Sequence, residues 1–256
     1  MQDLKLWFEK AGLPIKVSKQ PLHFMSLAVN NIDIFQMSIE TRGKKRKREY
    51  FKIYLGHYDN EIRVIDADSK KQQVILLVNE PEREYMTRQW DRKKRDWVHE
   101  TQKAPGYLRK YLAGFDEQHL FIAELPNDKG IINRVKDAHE ILKPPLVTKK
   151  EKCTNRIKRQ GEWFFIPVTK KEHKLINDNL NFIEKKKRIS IRWRGNPHVA
   201  DEIIRIDEIA YVRGKIYHHE HHTLKLHGWF RVERNAETRL SGTPTAFITN
   251  GIKFVD

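Results

Sequence analysis

Cysteine is nearly absent from this sequence, since Cys153 is the only one among 256 residues. A single cysteine excludes an intramolecular disulfide and any zinc site built from several cysteines. The sequence also lacks a run of about 18 apolar residues, which a membrane-spanning helix requires, and its first residues carry charges where a secretion signal would be apolar. These absences predict a cytoplasmic protein that is neither secreted nor inserted into a membrane.

Two kinds of catalytic motif are missing as well. The sequence contains no glycine-rich loop suited to cradling phosphates, and no serine or cysteine lies in a nucleophile motif between a strand and a helix. Neither a P-loop nucleotide hydrolase nor a serine or cysteine hydrolase is therefore indicated.

Positive charge is what the sequence has in excess. The chain carries 50 Lys and Arg residues against 34 Asp and Glu residues, which gives a formal net charge of +16. A positive field attracts polyanions, and neutralising phosphates releases their counterions, so we expect a nucleic-acid partner and salt-dependent binding. Two alternatives stay open: a charge that serves only solubility, and an adaptor for an acidic protein partner.

Strand patterns dominate the chain. Short runs of β-branched and aromatic residues, separated by polar turns, occur for example at 33–39, 50–55 and 74–78, and they suggest an antiparallel meander in the first part of the chain. Helical periodicity is limited to short stretches such as 3–10 and 170–181. We predict an α+β fold made mainly of antiparallel β-sheets with a few short helices.

A pair of prolines divides the chain. Pro144 and Pro145 cannot continue the helix predicted over 130–143, and the charged residues that follow, 146–152, have the composition of a linker. We therefore predict two α+β domains, residues 1–145 and 146–256, with the second domain strongly basic.

The densest positive charge precedes an aromatic strand, with six cations in the seven positions 42–48. In an alternating strand Tyr50, Lys52 and Tyr54 share one face, where rings can stack on bases while cations contact phosphates. The alternative is a surface hairpin with its tyrosines half-buried. The predicted nucleic-acid-binding residues of this first basic cluster are Arg42, Lys44, Lys45, Arg46, Lys47, Arg48, Tyr50, Lys52 and Tyr54.

A second basic cluster leads into a predicted strand at 188–194. Alternation there places Ile189, Ile191 and Trp193 on one face and cations on the other, a geometry suited to following a phosphate backbone. The alternative is an edge strand charged to prevent aggregation. The predicted binding residues are Lys185, Lys186, Lys187, Arg188, Arg192 and Arg194.

A third group of cations surrounds two tryptophans in residues 80–106, a stretch with no clean period that fits a helix or an ordered loop equally well. Trp90 and Trp97 are interleaved with basic residues, although nearby acids dilute the charge. A solvated charged surface is the alternative. The cations concerned are Arg88, Arg92, Lys93, Lys94 and Arg95.

Histidine is concentrated in one short segment, where positions 218–227 contain five of the chain's 12 histidines. Neutral His219 or His222 could act as a general base on a ribose hydroxyl or a water, with Arg213 or Arg231 stabilising charge on the phosphate. This pattern predicts a nuclease, either ribonuclease-like or dependent on a metal held by histidines. The alternative is a structural turn, and the pattern specifies neither a metal nor a cofactor.

A carboxyl group among aromatic residues is a further catalytic candidate. Glu162 lies in the sequence Arg-Gln-Gly-Glu-Trp-Phe-Phe at 159–165, where partial burial would raise its pKa and suit it to proton transfer. The alternative is that these aromatics form an ordinary core. His198 with Asp201 and Glu202 is the best histidine–carboxylate group outside the histidine-rich segment.

These motifs resemble a family of uncharacterised bacterial and phage proteins. The resemblance rests on RQGEWFF at 159–165, on residues 195–202, and on the series Val212-Arg213-Gly214, His219, His222 and Trp229. It implies a bacterial or phage setting and carries no known activity. The leading prediction is thus a binder of nucleic acid, RNA ahead of DNA because aromatic and basic strand faces suit unpaired bases.

Overall fold

The computed structural model describes residues 2–22, 33–43, 48–93, 95–116, 119–127, 130–190, 197–219, 221–236 and 252–253. The chain forms two compact units. Unit 1 contains the described residues up to 115, residues 120–138 and the strand at 252–253, and unit 2 consists chiefly of residues 139–236. The predicted boundary at 145 thus lies seven residues beyond the change of unit at 138, and the strand at 252–253 belongs with the N-terminal part.

The described helices are α1 (Gln2–Lys10), α2 (Val135–Leu142), α3 (Pro145–Glu151), α4 (Lys170–Asn177) and a 3-10 turn, η1 (Leu180–Phe182). The strands of unit 1 are β1 (Ile15–Ser18), β2 (Gln36–Arg42), β3 (Arg48–Tyr54), β4 (Glu61–Asp68), β5 (Gln73–Glu80), β6 (Arg83–Asp91), β7 (Asp96–Ala104), β8 (Tyr107–Asp116), β9 (His119–Leu125) and β16 (Ile252–Lys253). Unit 2 contains β10 (Lys158–Gln160), β11 (Trp163–Pro167), β12 (Glu184–Arg188), β13 (Val199–Ile206), β14 (Ile209–Tyr217) and β15 (Leu224–Arg234). The predicted class, α+β with mainly antiparallel sheets and short helices, is confirmed.

Two four-stranded sheets enclose the core of unit 1, in the orders β1-β3-β2-β16 and β4-β5-β8-β9. Phe51 and Ile53 of β3 point into this core together with Val74 and Leu76 of β5. The predicted meander is wrong, because β2–β3 and β4–β5 are hairpins of different sheets. β1 with β3 and β16 with β2 pair in parallel, whereas β2–β3, β4–β5, β5–β8 and β6–β7 are antiparallel.

Helix α1 covers one side of this core. Its last turn ends in a Schellman motif, with Gly12 at a φ of 75° and hydrogen bonds from Gly12 N to Glu9 O and from Leu13 N to Phe8 O. The two residues that this motif brings together, Phe8 and Leu13, are both buried. None of the helices in the described part of the chain is both long and apolar enough to cross a bilayer.

Residues 83–104 form a two-stranded ribbon rather than a helix or a loop. Strands β6 and β7 pair with each other from Arg83 opposite Ala104 to Asp91 opposite Asp96, and they belong to neither four-stranded sheet. Most residues of β7 are exposed, so this strand presents no apolar face that would produce a period-2 pattern.

A six-stranded sheet, in the order β10-β11-β15-β14-β13-β12, forms the centre of unit 2. Phe165, Val212 and Phe230 lie in its principal core. Its other face packs on α4, which begins at a capping box formed by Thr169 and Glu172.

The segment predicted as a linker is helix α3. It starts with Pro145 at its first position, where the missing N–H costs nothing, and it buries Val147 against Phe164 and Ile166 of β11. The prolines thus end α2 as predicted, but they begin another helix instead of a linker.

The strand predicted at 188–194 does not continue through residues 189 and 190. Strand β12 covers Glu184–Arg188 and ends where that strand was expected to begin. Ile189 is buried after the strand end, and residues 191–196 lie outside the described residues. Lys186 has a positive φ of 52°, but the pairing of β12 with β13 keeps one register on both sides of it.

Candidate functional site

Three histidines from two separate turns of unit 2 form what we call the histidine cluster: His198, His218 and His221. His198 directly precedes β13, whereas His218 and His221 lie in the turn between β14 and β15. One ring nitrogen from each of the three lies within 4.8 Å of the other two. The rings of His198 and His218 stack with centroids 4.2 Å apart, and the centroids of His218 and His221 are 4.8 Å apart.

A third turn closes over the cluster. The β10–β11 hairpin turns at Gly161, whose φ of 55° is unfavourable for other residues. A Cβ at this position would lie 2.8 Å from His221 Nε2 and 3.5 Å from His198 Cε1. Glycine is therefore required twice here, for its backbone conformation and for the space that the histidines occupy.

Curvature of the sheet brings these turns together. The Gly161 turn adjoins the end of β15, because Trp163 pairs with Arg234, whereas His221 lies just before its start. A straight strand of this length would hold the two turns on the order of 30 Å apart. Gly228, with a φ of 99°, and a register shift between Val212 and Gly214 allow the sheet to curl.

His198 is the buried member of the cluster, with a side chain only 4% exposed. Its backbone carbonyl accepts a hydrogen bond from Ile189 N at 2.8 Å, which anchors the residue, and its ring meets Trp163 edge to face at 6.4 Å. Its Nδ1 lies 4.0 Å from Glu162 Oε1. Its Nε2 is buried and makes no hydrogen bond with any residue that the structure describes.

Electrostatics keep the His198 ring neutral. Burial lowers the pKa of His198 to about 3, and the positive potential of His218, His221 and Arg234 contributes to this shift. At neutral pH the ring therefore presents an unprotonated nitrogen. The Glu162 carboxylate favours the tautomer with its proton on Nδ1, which leaves the lone pair on Nε2.

Gln160 holds the histidine-rich turn, which is the turn between β14 and β15, against the β10–β11 hairpin. Its Nε2 donates a 2.6 Å hydrogen bond to the carbonyl of His222. The residue is 2% exposed, and its Oε1 forms no hydrogen bond within the described residues. An unsatisfied acceptor thus borders the histidine-rich turn, in addition to His198 Nε2.

Only some of the predicted catalytic residues reach the histidine cluster. Glu162 does, and His219 adjoins it with a ring centroid 5.1 Å from that of His218. His222 contributes its backbone carbonyl to Gln160. Arg213 instead pairs with Glu202 at 2.5 Å and stacks over Trp229.

The remaining candidates in this region are engaged with other groups. Arg231 contacts Glu233 at 2.6 Å. Asp201 accepts a hydrogen bond from Lys215 N at 2.8 Å and pairs with Lys186. Asp201 and Glu202 are therefore not the carboxylate partners of His198; Glu162 is.

The first basic cluster has the predicted strand faces but less available charge. Phe51 and Ile53 are buried, as expected, whereas Tyr50 and Lys52 lie on the other face of β3. Glu40 accepts hydrogen bonds from both the Tyr50 hydroxyl, at 3.0 Å, and Lys52 Nζ, at 2.9 Å. The hydroxyl of Tyr54 donates a hydrogen bond to Asp33. Arg42 and Arg48 lie opposite each other in the register of β2 and β3. The remaining cations lie outside the described residues: Lys44, Lys45, Arg46 and Lys47.

The second basic cluster keeps more of its charge. All of β12 is exposed, and within the described residues Lys185, Lys187 and Arg188 form no ion pair. Lys186 contacts Asp201 and Tyr217. Phe182, just before the strand, is 63% exposed, and Arg192 and Arg194 lie outside the described residues.

The third surface is the ribbon tip, which consists of Trp90, Trp97 and the turn between β6 and β7. Trp90 and Trp97 face each other across β6 and β7 with ring centroids 5.7 Å apart, and each is about half exposed. Arg92 and Arg95 in the turn are exposed and form no ion pair with the described residues. Exposed indoles beside solvated cations are unusual in a surface that serves solubility alone.

His198 is the site residue whose partners the sequence did not reveal. It was noted for the nearby Asp201 and Glu202, whereas its neighbours are His218 and His221, 20 or more positions away. Comparison of the chain with protein-family models, with curated proteins and with solved structures finds no match. The resemblance to uncharacterised bacterial and phage proteins remains a prediction.

Proposed function

We propose that this protein binds nucleic acid, with single-stranded or structured RNA favoured over DNA. The observation that carries the proposal is the ribbon tip, where two half-exposed indoles lie next to the exposed cations Arg92 and Arg95. Indole rings stack on unpaired bases irrespective of sequence, and guanidinium groups bind the adjacent phosphates. A cytoplasmic location accords with the single, exposed cysteine.

Strand β12 supplies a second contact surface of the same kind. Exposed Phe182 precedes Lys185, Lys187 and Arg188, whose charges are available to phosphates. The first basic cluster is a weaker contributor, because Glu40 already neutralises Lys52. Binding through both surfaces would be strongly salt-dependent, since each phosphate contact releases counterions.

The test is a titration of labelled single-stranded RNA, single-stranded DNA and duplex DNA followed by fluorescence anisotropy, from low to physiological salt. We expect affinity to fall steeply with salt and the single-stranded RNA to bind most tightly. The double variant Trp90→Ala/Trp97→Ala should weaken binding about 10-fold or more, given the free energy of base–aromatic stacking.

The matched control is Trp7→Ala, which removes an exposed tryptophan from α1 and should leave affinity unchanged. Lys185→Ala/Lys187→Ala should lower the salt slope by roughly one for each phosphate contact removed. Affinity that is flat with salt, or equal losses in the Trp7 and ribbon variants, contradicts the proposal. Absence of any nucleic-acid binding would favour the adaptor for an acidic protein.

A second candidate function is nuclease activity at the histidine cluster. It is favoured by the neutral His198 ring beside Glu162 and by the positive charge of Arg234 nearby. A neutral imidazole can accept a proton from a ribose hydroxyl or water, and a guanidinium can stabilise charge developing on a phosphate. The geometry favours His218 and His221 over the sequence candidates His219 and His222 for this role.

Cleavage of end-labelled RNA and DNA tests this candidate. We expect wild-type protein to cleave one of them and His218→Ala/His221→Ala to lose that activity, whereas His219→Ala/His222→Ala retains most of it. No cleavage by the wild type with or without added divalent metal rules the nuclease out, without affecting the binding proposal.

A further inference from the structure

The histidine cluster has the donor set of a transition-metal site. Imidazole nitrogens are preferred ligands of zinc, copper and nickel, and catalytic zinc sites often use three protein ligands with a fourth position open. His198, His218 and His221 supply three such nitrogens, all within 4.8 Å of one another. No cysteine contributes, so the site belongs to the imidazole class.

His198 gives the second, independent observation. Its side chain is more than nine-tenths buried, and Nε2 makes no hydrogen bond with the described residues. A buried polar atom without a partner carries the full cost of its lost hydration. A bound metal ion removes that cost, because the ion takes up the lone pair.

Glu162 has the position of an outer-sphere partner. Histidine ligands commonly direct their second ring nitrogen to a carboxylate, which sets the tautomer and raises the basicity of the ligating nitrogen. Glu162 Oε1 lies 4.0 Å from His198 Nδ1, so a small shift of either side chain completes this contact. The same carboxylate supplies negative charge against the nearby Arg234.

The geometry requires modest convergence of the rings. Tetrahedral zinc with bonds of 2.0–2.1 Å holds its nitrogens about 3.4 Å apart, so the present separations must shorten by up to about 1.4 Å. His218 and His221 are only partly buried and lie in a turn, so they can rotate towards His198, which is anchored through Ile189. Gly161 leaves His221 the space that this movement needs.

Anion binding is the rival use of such a cluster, since Arg234 is close and histidines can bind phosphate when protonated. The Glu162 carboxylate, however, lies 4.0 Å from His198 Nδ1, where it would repel a bound anion, and His198 Nε2 is buried with no hydrogen-bond partner among the described residues. An acceptor in a buried position attracts a Lewis acid and repels an anion. The cluster is thus better matched to a cation.

We propose that His198, His218 and His221 bind one divalent transition-metal ion, with zinc the best match and with a fourth position open to water. The proposal does not depend on nucleic-acid binding. If the second candidate function holds, these three histidines would hold the metal, and a metal-bound water would supply the nucleophile in place of a water activated by a free imidazole.

Zinc titration of the full chain tests the site directly. Protein treated with chelator and transferred to metal-free buffer is titrated with zinc sulfate by calorimetry, and the bound metal is counted by elemental analysis. We expect one zinc ion per chain. Replacement by cobalt should give visible d–d absorption bands of the intensity typical of tetrahedral coordination.

Three single variants, His198→Ala, His218→Ala and His221→Ala, should each weaken zinc binding by more than about 100-fold, beyond the effect usual for outer-sphere partners. His222→Ala is the matched control, because it removes a histidine of the same turn that is not in the cluster, and it should retain wild-type affinity. If His198→Ala fails to fold, the two partly exposed positions still decide the question.

Two outcomes would overturn the proposal. One is no saturable zinc or cobalt binding by the folded wild type. The other is binding that is lost equally in the His222 control, which would indicate adventitious coordination. Inorganic phosphate is titrated in parallel, and saturable phosphate binding without zinc binding would assign the cluster to anions instead.

Discussion

The two units of the molecule treat buried polar groups in opposite ways. In unit 1, burial raises the pKa of Glu80 and of Glu124, and the positive charge of Arg109 opposes both shifts. In unit 2, burial lowers the pKa of His198, and the positive potential of its neighbours lowers it further. In unit 1 the effect of Arg109 on the pKa opposes the effect of burial. In unit 2 burial and the neighbouring charges shift the pKa of His198 in the same direction.

This difference separates a structural network from a site. Glu80 accepts a hydrogen bond from Phe35 N at 2.8 Å, so its carboxylate joins two strands' ends within the core of unit 1. His198 Nε2 has no comparable partner among the described residues. A buried acceptor without a hydrogen bond also occurs in unit 1, at Glu124 Oε2, but there the positive charge of Arg109 opposes the effect of burial, whereas the charges around His198 add to it.

Arg109→Met should change stability most, because it removes the cation that opposes the buried carboxylates of unit 1 and retains much of the side-chain volume. Two carboxylates then stay buried without the opposing charge, and we expect a loss of about 2–3 kcal/mol in the free energy of unfolding at pH 7. Chemical denaturation followed by circular dichroism measures it. Arg63→Met is the control, since that arginine is exposed on β4 and should change stability little.

A loss no larger than that of Arg63→Met would mean that the Arg109 charge does not compensate the carboxylates. The contrast between the two units would then disappear.

Gly161→Ala tests whether the Gly161 turn in unit 2 shapes the histidine cluster. The left-handed backbone at Gly161 should cost alanine about 1–2 kcal/mol of stability, and the new methyl group would displace His221. We therefore expect a further effect, a loss of zinc affinity, measured by the same calorimetric titration. Gly130→Ala, in unit 1, imposes a positive φ as well, but nothing lies within 4 Å of its Cβ position, so it should lose stability alone.

If both glycine variants bound zinc like the wild type, the Gly161 turn would have no part in shaping the cluster. Equal loss of zinc affinity in both would point to a general effect of lower stability.

Local patterns were sufficient to predict much of the fold. The strands predicted at 50–55 and 74–78 coincide with β3 and β5 to within a few residues, because a run of β-branched and aromatic residues is a local signal. Pattern failed where partners outside the segment decide the structure. Strand β12 has no apolar face to reveal it, and 146–152 is helical because Val147 is buried against β11.

The histidine cluster could be predicted only in part. The histidines at 218 and 221 were evident as a local concentration, and Glu162 was identified from its aromatic neighbours. Their meeting with His198 depends on how far a six-stranded sheet curls, which glycines and bulges set across several strands. Sequence spacing contains no measure of that curvature.

Glu124→Gln tests the smallest expected effect and the sign of the electrostatics in unit 1. Burial raises the pKa of Glu124 in the folded state, so the folded protein binds a proton more readily than the unfolded chain. Its charge therefore destabilises the fold at pH 7, and this penalty diminishes as the pH falls below the raised pKa and vanishes below the unfolded pKa. One Glu124 oxygen is also buried without a hydrogen bond in the described structure, where an amide would carry no charge.

We expect the glutamine variant to exceed the wild type by about 1 kcal/mol at pH 7, with the difference shrinking towards zero near pH 4, about the unfolded pKa of glutamate. Denaturation curves over this pH range measure the difference, and Glu61→Gln, at an exposed position of β4, should show no such trend. A difference that stays constant with pH would contradict the raised pKa. A variant less stable than the wild type at pH 7 would mean that the Glu124 charge is needed to balance Arg109. The buried charges of unit 1 would then be balanced, and no carboxylate would be in excess.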